Sequence, residues 1–312
     1  MASYLDNKAL NRSDISRRGR LVPWMVGFAN FTIHSTHKFT PLLVARLTRA
    51  LSCSAMFESH TSLTPPPDDT VLWRYMDFPK FMDIVMRREL YFSCLANLND
   101  PFEGHITRPM VDLIRGTDPA LDGEKRETNR QKTKQNLAAI RGFRQMINVS
   151  CWHMNETESD AMWQLYMPSG QGIAIRTTFG RFKDSVKQSA IQVHGGIVQY
   201  VDYNTHECDY SNIFNWSILK RKSYAHENEF RAIALEPTGD VYGAGLSVKI
   251  DATRLIQSVF VSPAAPAWHV DLLRSLTKTH NLDISVNQSK LYRHPMYLDE
   301  DNTGNSTGPI AG

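Results

Sequence analysis

The 312-residue chain has only four cysteines, Cys53, Cys94, Cys151 and Cys208, and no CxxC pair, which excludes a zinc knuckle and a disulfide framework. Thiols so far apart fit a reduced, cytoplasmic protein. No run of about 18 apolar residues occurs, so no membrane-spanning helix is expected. A Walker loop and a GxGxxG turn are both missing, which argues against a P-loop nucleotidase and a Rossmann dehydrogenase. There is no GxSxG elbow, and Ser150-Cys151 lacks the flanks of a known nucleophile motif. An excess of one charge is absent too. The 35 basic and 32 acidic residues leave a net +3, too balanced for a protein that coats nucleic acid. No repeat or heptad emerges.

What is present is uneven along the chain. Residues 1–60 carry Arg17, Arg18, Arg20, Arg46 and Arg49, with Asp6 and Asp14 as the only acids before Glu58. Such a basic extension is expected to be disordered or a start-site artefact, with a small helical appendage or a targeting segment as the alternatives. Residues 61–70 contain Pro65-Pro66-Pro67 and read as a stiff linker, because proline fixes φ and polyproline stays extended. A domain over 71–290 and a flexible tail over 291–312 complete the expected organisation. Within the domain, strands are expected at Leu72 to Tyr75, Leu90 to Ser93, Ile147 to Trp152, Ile173 to Thr177 and Ile191 to Val201. Further strands follow near Phe230 to Leu235, Leu246 to Ile250, Ser258 to Val261 and Asp283 to Val286. Helices are expected from Pro79, over the charged stretch 123–146, after Ser159-Asp160, through Ile218 and from Pro266 to about His280. This irregular alternation predicts an α+β fold, a single mixed and mostly antiparallel sheet with surrounding helices.

Polar residues recur beside aromatics in four clusters: Leu72 to Phe78, Leu98 to Gly104, Ser150 to Tyr166, and Lys220 to Ile233. Through Trp73-Arg74-Tyr75, Tyr91-Phe92-Ser93, Asn99 to Gly104, Ser150-Cys151-Trp152, Ala161 to Tyr166 and Glu227 to Arg231, residues 71–290 resemble the bacterial family catalogued as domain of unknown function 2971. That family brings a domain boundary and a residue shortlist, without an activity. A phage-defence or toxin system is a setting such a bacterial protein would suit.

Each cluster carries a functional and a structural reading. Glu227-Asn228-Glu229 at the start of a strand would put both carboxylates on one face. They could divide acid/base, ribose-gripping or metal work, or Glu229 could pair with Arg231 or Lys222 at a solvated edge. Arg74 between two aromatic rings could fork onto a phosphate, or stack and pair with an acid such as Glu103. Asp100 and Glu103 either line a site or cap and pair within their loop. Trp163 and Tyr166 share a helical face and serve as core or as a stacking surface. His153 and His226 titrate near neutrality but have no ligand-like partner four residues on, so no metal site is expected.

The leading expectation is cleavage of the glycosidic bond of NAD, as substrate and not as cofactor. The order arginine, serine, glutamate-x-glutamate is similar to that of one class of mono-ADP-ribosyltransferases. This likeness implies that Arg74 holds the pyrophosphate and that Ser150, or Ser93, supports the ribose-binding strand. Glu229 would stabilise an oxocarbenium-like transition state and Glu227 would activate the acceptor. Tyr75, Trp163, Tyr166, Asp100, Glu103 and Arg231 would line the substrate. A small-molecule nucleotide is thus the expected partner, with the acceptor open. Two alternatives stand beside it: a Mg²⁺-dependent nuclease or phosphodiesterase on Asp100, Glu103, Glu227 and Glu229, and a non-catalytic module binding a nucleotide or partner.

Overall fold

A computed structural model describes residues 57–115, 127, 131, 134–135, 138, 140, 142–167, 170–209, 212–235 and 245–293. The basic stretch 1–56, the tail 294–312 and much of the charged stretch 123–146 lie outside the described residues. The class is α+β, as the irregular alternation of elements predicts. A nine-stranded sheet is antiparallel at every pairing except one, and a two-stranded parallel sheet stands beside it.

Strands β1 (Val71–Met76), β2 (Glu89–Cys94) and β3 (Ile147–Met154) form the middle. β4 (Ile173–Thr178), β10 (Ser258–Val261) and β11 (Ser285–Gln288) extend it beyond β1, in the order β1-β4-β10-β11. β9 (Leu246–Lys249) flanks β2. On the other edge of β3 lies β8 (Glu229–Leu235), and β5 (Val193–Ile197) pairs with β8. β3 is therefore a fork. One edge is fully taken by β8, while the other is shared, with β1 opposite Met154 and His153 and β2 opposite Val149 and Asn148.

Helix α1 (Phe78–Arg87) starts at the Asp77 cap, whose Oδ1 accepts from Lys80 N at 2.8 Å, has Pro79 in its first turn, and ends at Arg88 in the left-handed region. α2 is Arg108–Arg115, α3 is Asp160–Tyr166 capped by Ser159, and α4 is Phe179–Ser185 capped by Thr178. α5 (Ile213–Ser217), α6 (Ala252–Leu255) and α7 (Trp268–Thr279) follow. α2 and α4 were not expected from the sequence, being short with little surrounding punctuation. Among the described residues no helix is long and apolar enough to cross a membrane.

One sheet face buries Leu72, Met76, Trp152, Phe230 and Ala232 with Phe81, Phe179 and Phe182. The other carries two separate apolar clusters. Ile147, Val149 and Ile233 pack with Phe214, Trp216 and Leu219, while Trp73 and Tyr75 pack with Met162 and Trp163 of α3. The polar cluster described below occupies the interval between them.

Two expectations need correction. The run Ile191 to Val201 is not one strand. Val198 N still bonds Glu229 O at 2.9 Å, but Gln199 N turns to Ile218 O, and β6 (Gln199–Val201) pairs in parallel with β7 (Leu219–Arg221) in the small sheet. The segment 61–70, read as a linker, lies against the domain: Leu63 and Pro66 are buried, Ile197 N bonds Thr64 O, and Phe57 bridges to Val193. Leu63, ahead of the prolines, and Pro66 within them anchor it, so the packed region reaches back at least to Phe57.

Candidate acid–base site

Residues directly opposed on neighbouring strands share a face. Trp73 opposes His153, His153 opposes Glu229, and Cys151 opposes Arg231. Hence Trp73, Tyr75, Cys151, His153, Glu229 and Arg231 point to the same side. Arg231 is completely enclosed. Its Nε donates to Glu229 Oε1 at 2.7 Å, its Nη2 to Glu229 Oε2 at 3.1 Å and to Glu103 Oε2, and its Nη1 to Ser217 O at 2.9 Å. β7 brings in a second cation. Lys220 Nζ lies 2.5 Å from Glu227 Oε2, 3.2 Å from Glu229 Oε2 and 3.3 Å from Glu103 Oε1.

Glu227 and Glu229 do meet, though not by strand alternation. Glu227 closes a 3₁₀ turn, Lys222–Glu227, and Asn228 at φ 38° reverses the chain into β8. Asn228 is held there because its side chain donates to Met154 O and its carbonyl accepts from Met154 N. Asparagine tolerates this left-handed geometry. Tyr200 OH accepts from Glu229 N at 2.9 Å, so the departure of β6 from the large sheet also serves the cluster.

Three carboxylates, Glu103, Glu227 and Glu229, face two cations, Lys220 and Arg231, in this enclosed space. The imbalance separates the two neighbouring acids. Burial alone would raise Glu229, but Arg231 and Lys220 outweigh it and hold its pKa at about 2. Glu227, with a side chain 13% exposed, is raised by burial, which Lys220 opposes and the nearby Glu229 and Glu103 reinforce. Burial, then Glu229, pushes the Cys151 thiol well above its ordinary value, so Cys151 is no ready nucleophile. His153 is lowered by burial. Its Nδ1 lies 2.6 Å from Glu227 O, a contact that requires Nδ1–H and leaves Nε2 as an acceptor, which has no partner among the described residues.

The residues read from the sequence divide as follows. Glu227, Glu229, Glu103 and Arg231 converge. Tyr75 and Trp163 pack edge to face at 4.9 Å as core, with Tyr75 OH accepting from Ser159 N and Trp163 Nε1 donating to Glu158. Tyr166 is 47% exposed, and its hydroxyl is raised by burial first and Glu227 next. Asp100 is buried and accepts from Arg221, Nη2 to Oδ1 at 2.9 Å and Nε to Oδ2 at 3.2 Å, besides capping its own turn through Phe102 N. Arg74 and Ser150 are elsewhere. By register they belong with Leu72, Met76 and Trp152 on the opposite face. There Arg74 fills the fork, donating to Ser150 Oγ and to Tyr91 O, with its guanidinium 5.6 Å from the Trp152 ring. The expected pairing of Arg74 with Glu103 is not found; Glu103 pairs with Arg231 and Lys220. Lys220 was missed as a central residue, although it lies in the same basic run as the Lys222 considered as a partner of Glu229.

Among the described residues no group of three or more His, Cys, Asp or Glu side chains is placed to hold a metal. The oxygens a Mg²⁺ would require from Asp100, Glu103, Glu227 and Glu229 already face Arg221, Arg231 and Lys220. No family model matches the chain, and no curated protein matches it.

Proposed function

We propose that the Glu227–Lys220–Glu229 cluster is an acid–base centre that cleaves the glycosidic bond of a nucleotide, with NAD as the substrate to test first. The observation that carries this reading is two carboxylates on one ammonium whose proton affinities are driven apart, the arrangement that divides acid and base roles. In this reading the bond from ribose C1′ to the nicotinamide nitrogen breaks and nicotinamide leaves with the bonding pair. Glu229, ionised throughout, supplies negative potential to the oxocarbenium-like transition state. Glu227, whose proton affinity burial raises above that of an ordinary carboxylate, takes as its ionised form the proton of the attacking hydroxyl or water. Arg74 keeps the sheet fork together and does not hold pyrophosphate. The free thiols at Cys94, Cys151 and Cys208 fit the cytoplasmic setting proposed with it.

The test is nicotinamide release by the full chain, alone and with cell lysate as a source of acceptor, beside Glu227→Gln. Release that falls about a hundredfold or more in the variant while the thermal midpoint holds supports the reading. No release from the unmodified chain under either condition, or equal release from the variant, overturns it. A second reading, a non-catalytic nucleotide-binding module, is favoured by how fully Glu229 and Arg231 engage each other. It predicts binding without turnover.

A further inference from the structure

The loop Asn99 to Gly104 has two sides. Asp100 and Glu103 turn inward to Arg221, Lys220 and Arg231, whereas Pro101 and Phe102 turn outward and line a groove of about 470 Å³. That volume is within the range of small-ligand sites, roughly 300–1,000 Å³. α2 forms one wall: Arg108, Val111 and Arg115, spaced by three and four residues, present one helical face to it. Ile106 and Ile140 add apolar lining, and Phe102, 41% exposed, meets the Tyr203 ring edge to face at 5.2 Å.

The charged residues that line this groove are arginines. Among the described residues, Arg108 and Arg115 line it and no acidic residue does. Arg108 is partly spent on Asp112, 2.8 Å from its Nε, but Arg115 is exposed. Behind the lining, Arg144 Nη1 lies 2.7 Å from His105 Nε2, and Arg144 Nε is a buried donor with no partner among the described residues. Arg221, 4.6 Å from the Phe102 ring, stands behind the aromatic wall with its charge engaged by Asp100.

We infer that this groove binds a small aromatic anion of the nucleoside monophosphate class, with the ring against Phe102 and the anion toward Arg115 and Arg108. Aromatic rings accept bases of any sequence by stacking, and guanidinium forks match phosphate oxygens. The site is separate from the acid–base centre, with the loop between them, and does not depend on the glycosidic reading.

Calorimetric titration of the full chain with AMP, adenosine and ribose 5-phosphate tests it, at low salt and at about 0.5 M salt. AMP is expected to bind, with adenosine and ribose 5-phosphate each weaker by about tenfold or more and with affinity falling as salt rises. Phe102→Ala and Arg115→Gln, both at exposed positions, should each weaken AMP by about tenfold, while Glu227→Gln leaves it unchanged. Absence of AMP binding at millimolar concentration, adenosine binding as tightly as AMP, or affinity untouched by both groove variants would overturn the inference. Loss of AMP affinity in Glu227→Gln alone would move the nucleotide to the acid–base centre and equally overturn it.

Discussion

Glu227 and Glu229 are two residues apart, touch the same ammonium, and should respond unequally to the same substitution. Glu229 is 2% exposed and engaged on both oxygens by Arg231. Holding a carboxylate at about 2 instead of the usual 4.5 corresponds to about 3 kcal/mol. Glutamine there removes the counter-charge of a guanidinium that cannot deprotonate. Glu227 is the unmatched acid of the group, so its loss brings two carboxylates against two cations. Urea unfolding should therefore show Glu229→Gln lowered by about 3 kcal/mol and Glu227→Gln within about 1 kcal/mol of the unmodified chain. Equal losses would mean that the charge is not divided in this way. The contrast also makes Glu227→Gln the cleaner variant for activity, because a loss of turnover there is not a loss of fold.

At the scale of elements, the fork in β3 explains why Arg74 is an arginine. Where β1 and β2 part, a single planar guanidinium reaches the Ser150 hydroxyl on the stem and the Tyr91 carbonyl on one arm. A lysine ammonium keeps the charge but lacks the fixed fork needed for both. Arg74→Lys should lose about 1–3 kcal/mol, with faster amide exchange in β2 and the C-terminal half of β1. Unchanged exchange in both strands would rule out the bridging role. Much of this architecture is legible in the sequence. The apolar runs of β1, β3, β4, β8 and β10, the helix opening at Pro79, the Ser159 cap and the turn at Asn99-Asp100-Pro101 all follow from local pattern. The fork does not, because which strand shares an edge is a long-range choice. Nor does the handover at Val198, because the adjacent Ile197 and Val198 shift the alternation without saying which strand takes over. In the candidate site, the meeting of Glu227 and Glu229 was readable, but the left-handed Asn228 that produces it and the Lys220 that joins them belong to tertiary structure.

For the whole molecule, these buried groups set the dependence of stability on pH. His153 and His194 are both lowered from 6.5, burial being the main cause, and each has its Nδ1 against a backbone carbonyl, of Glu227 and Glu58. The unfolded chain takes up their protons first, so their stabilisation is complete above pH 6.5 and lost as pH falls through their lower folded values. Glu229, depressed to about 2, stabilises fully above pH 4.5, and that contribution disappears as pH falls toward 2. Glu227 acts in the reverse sense: raised in the fold, it favours the native state at low pH and loses that contribution as pH rises through its folded value. The expected curve of urea midpoint against pH is a plateau above 6.5, a first decline below it that Glu227 partly offsets between its raised folded value and 4.5, and a steeper fall below 4.5 that Glu227 does not oppose. His194→Gln retains a donor for Glu58 O but cannot titrate in this range. It should remove about half of the decline that begins below pH 6.5 while leaving the later fall in place. An unaltered first decline in that variant would show that buried neutral histidine is not what makes the fold acid-sensitive.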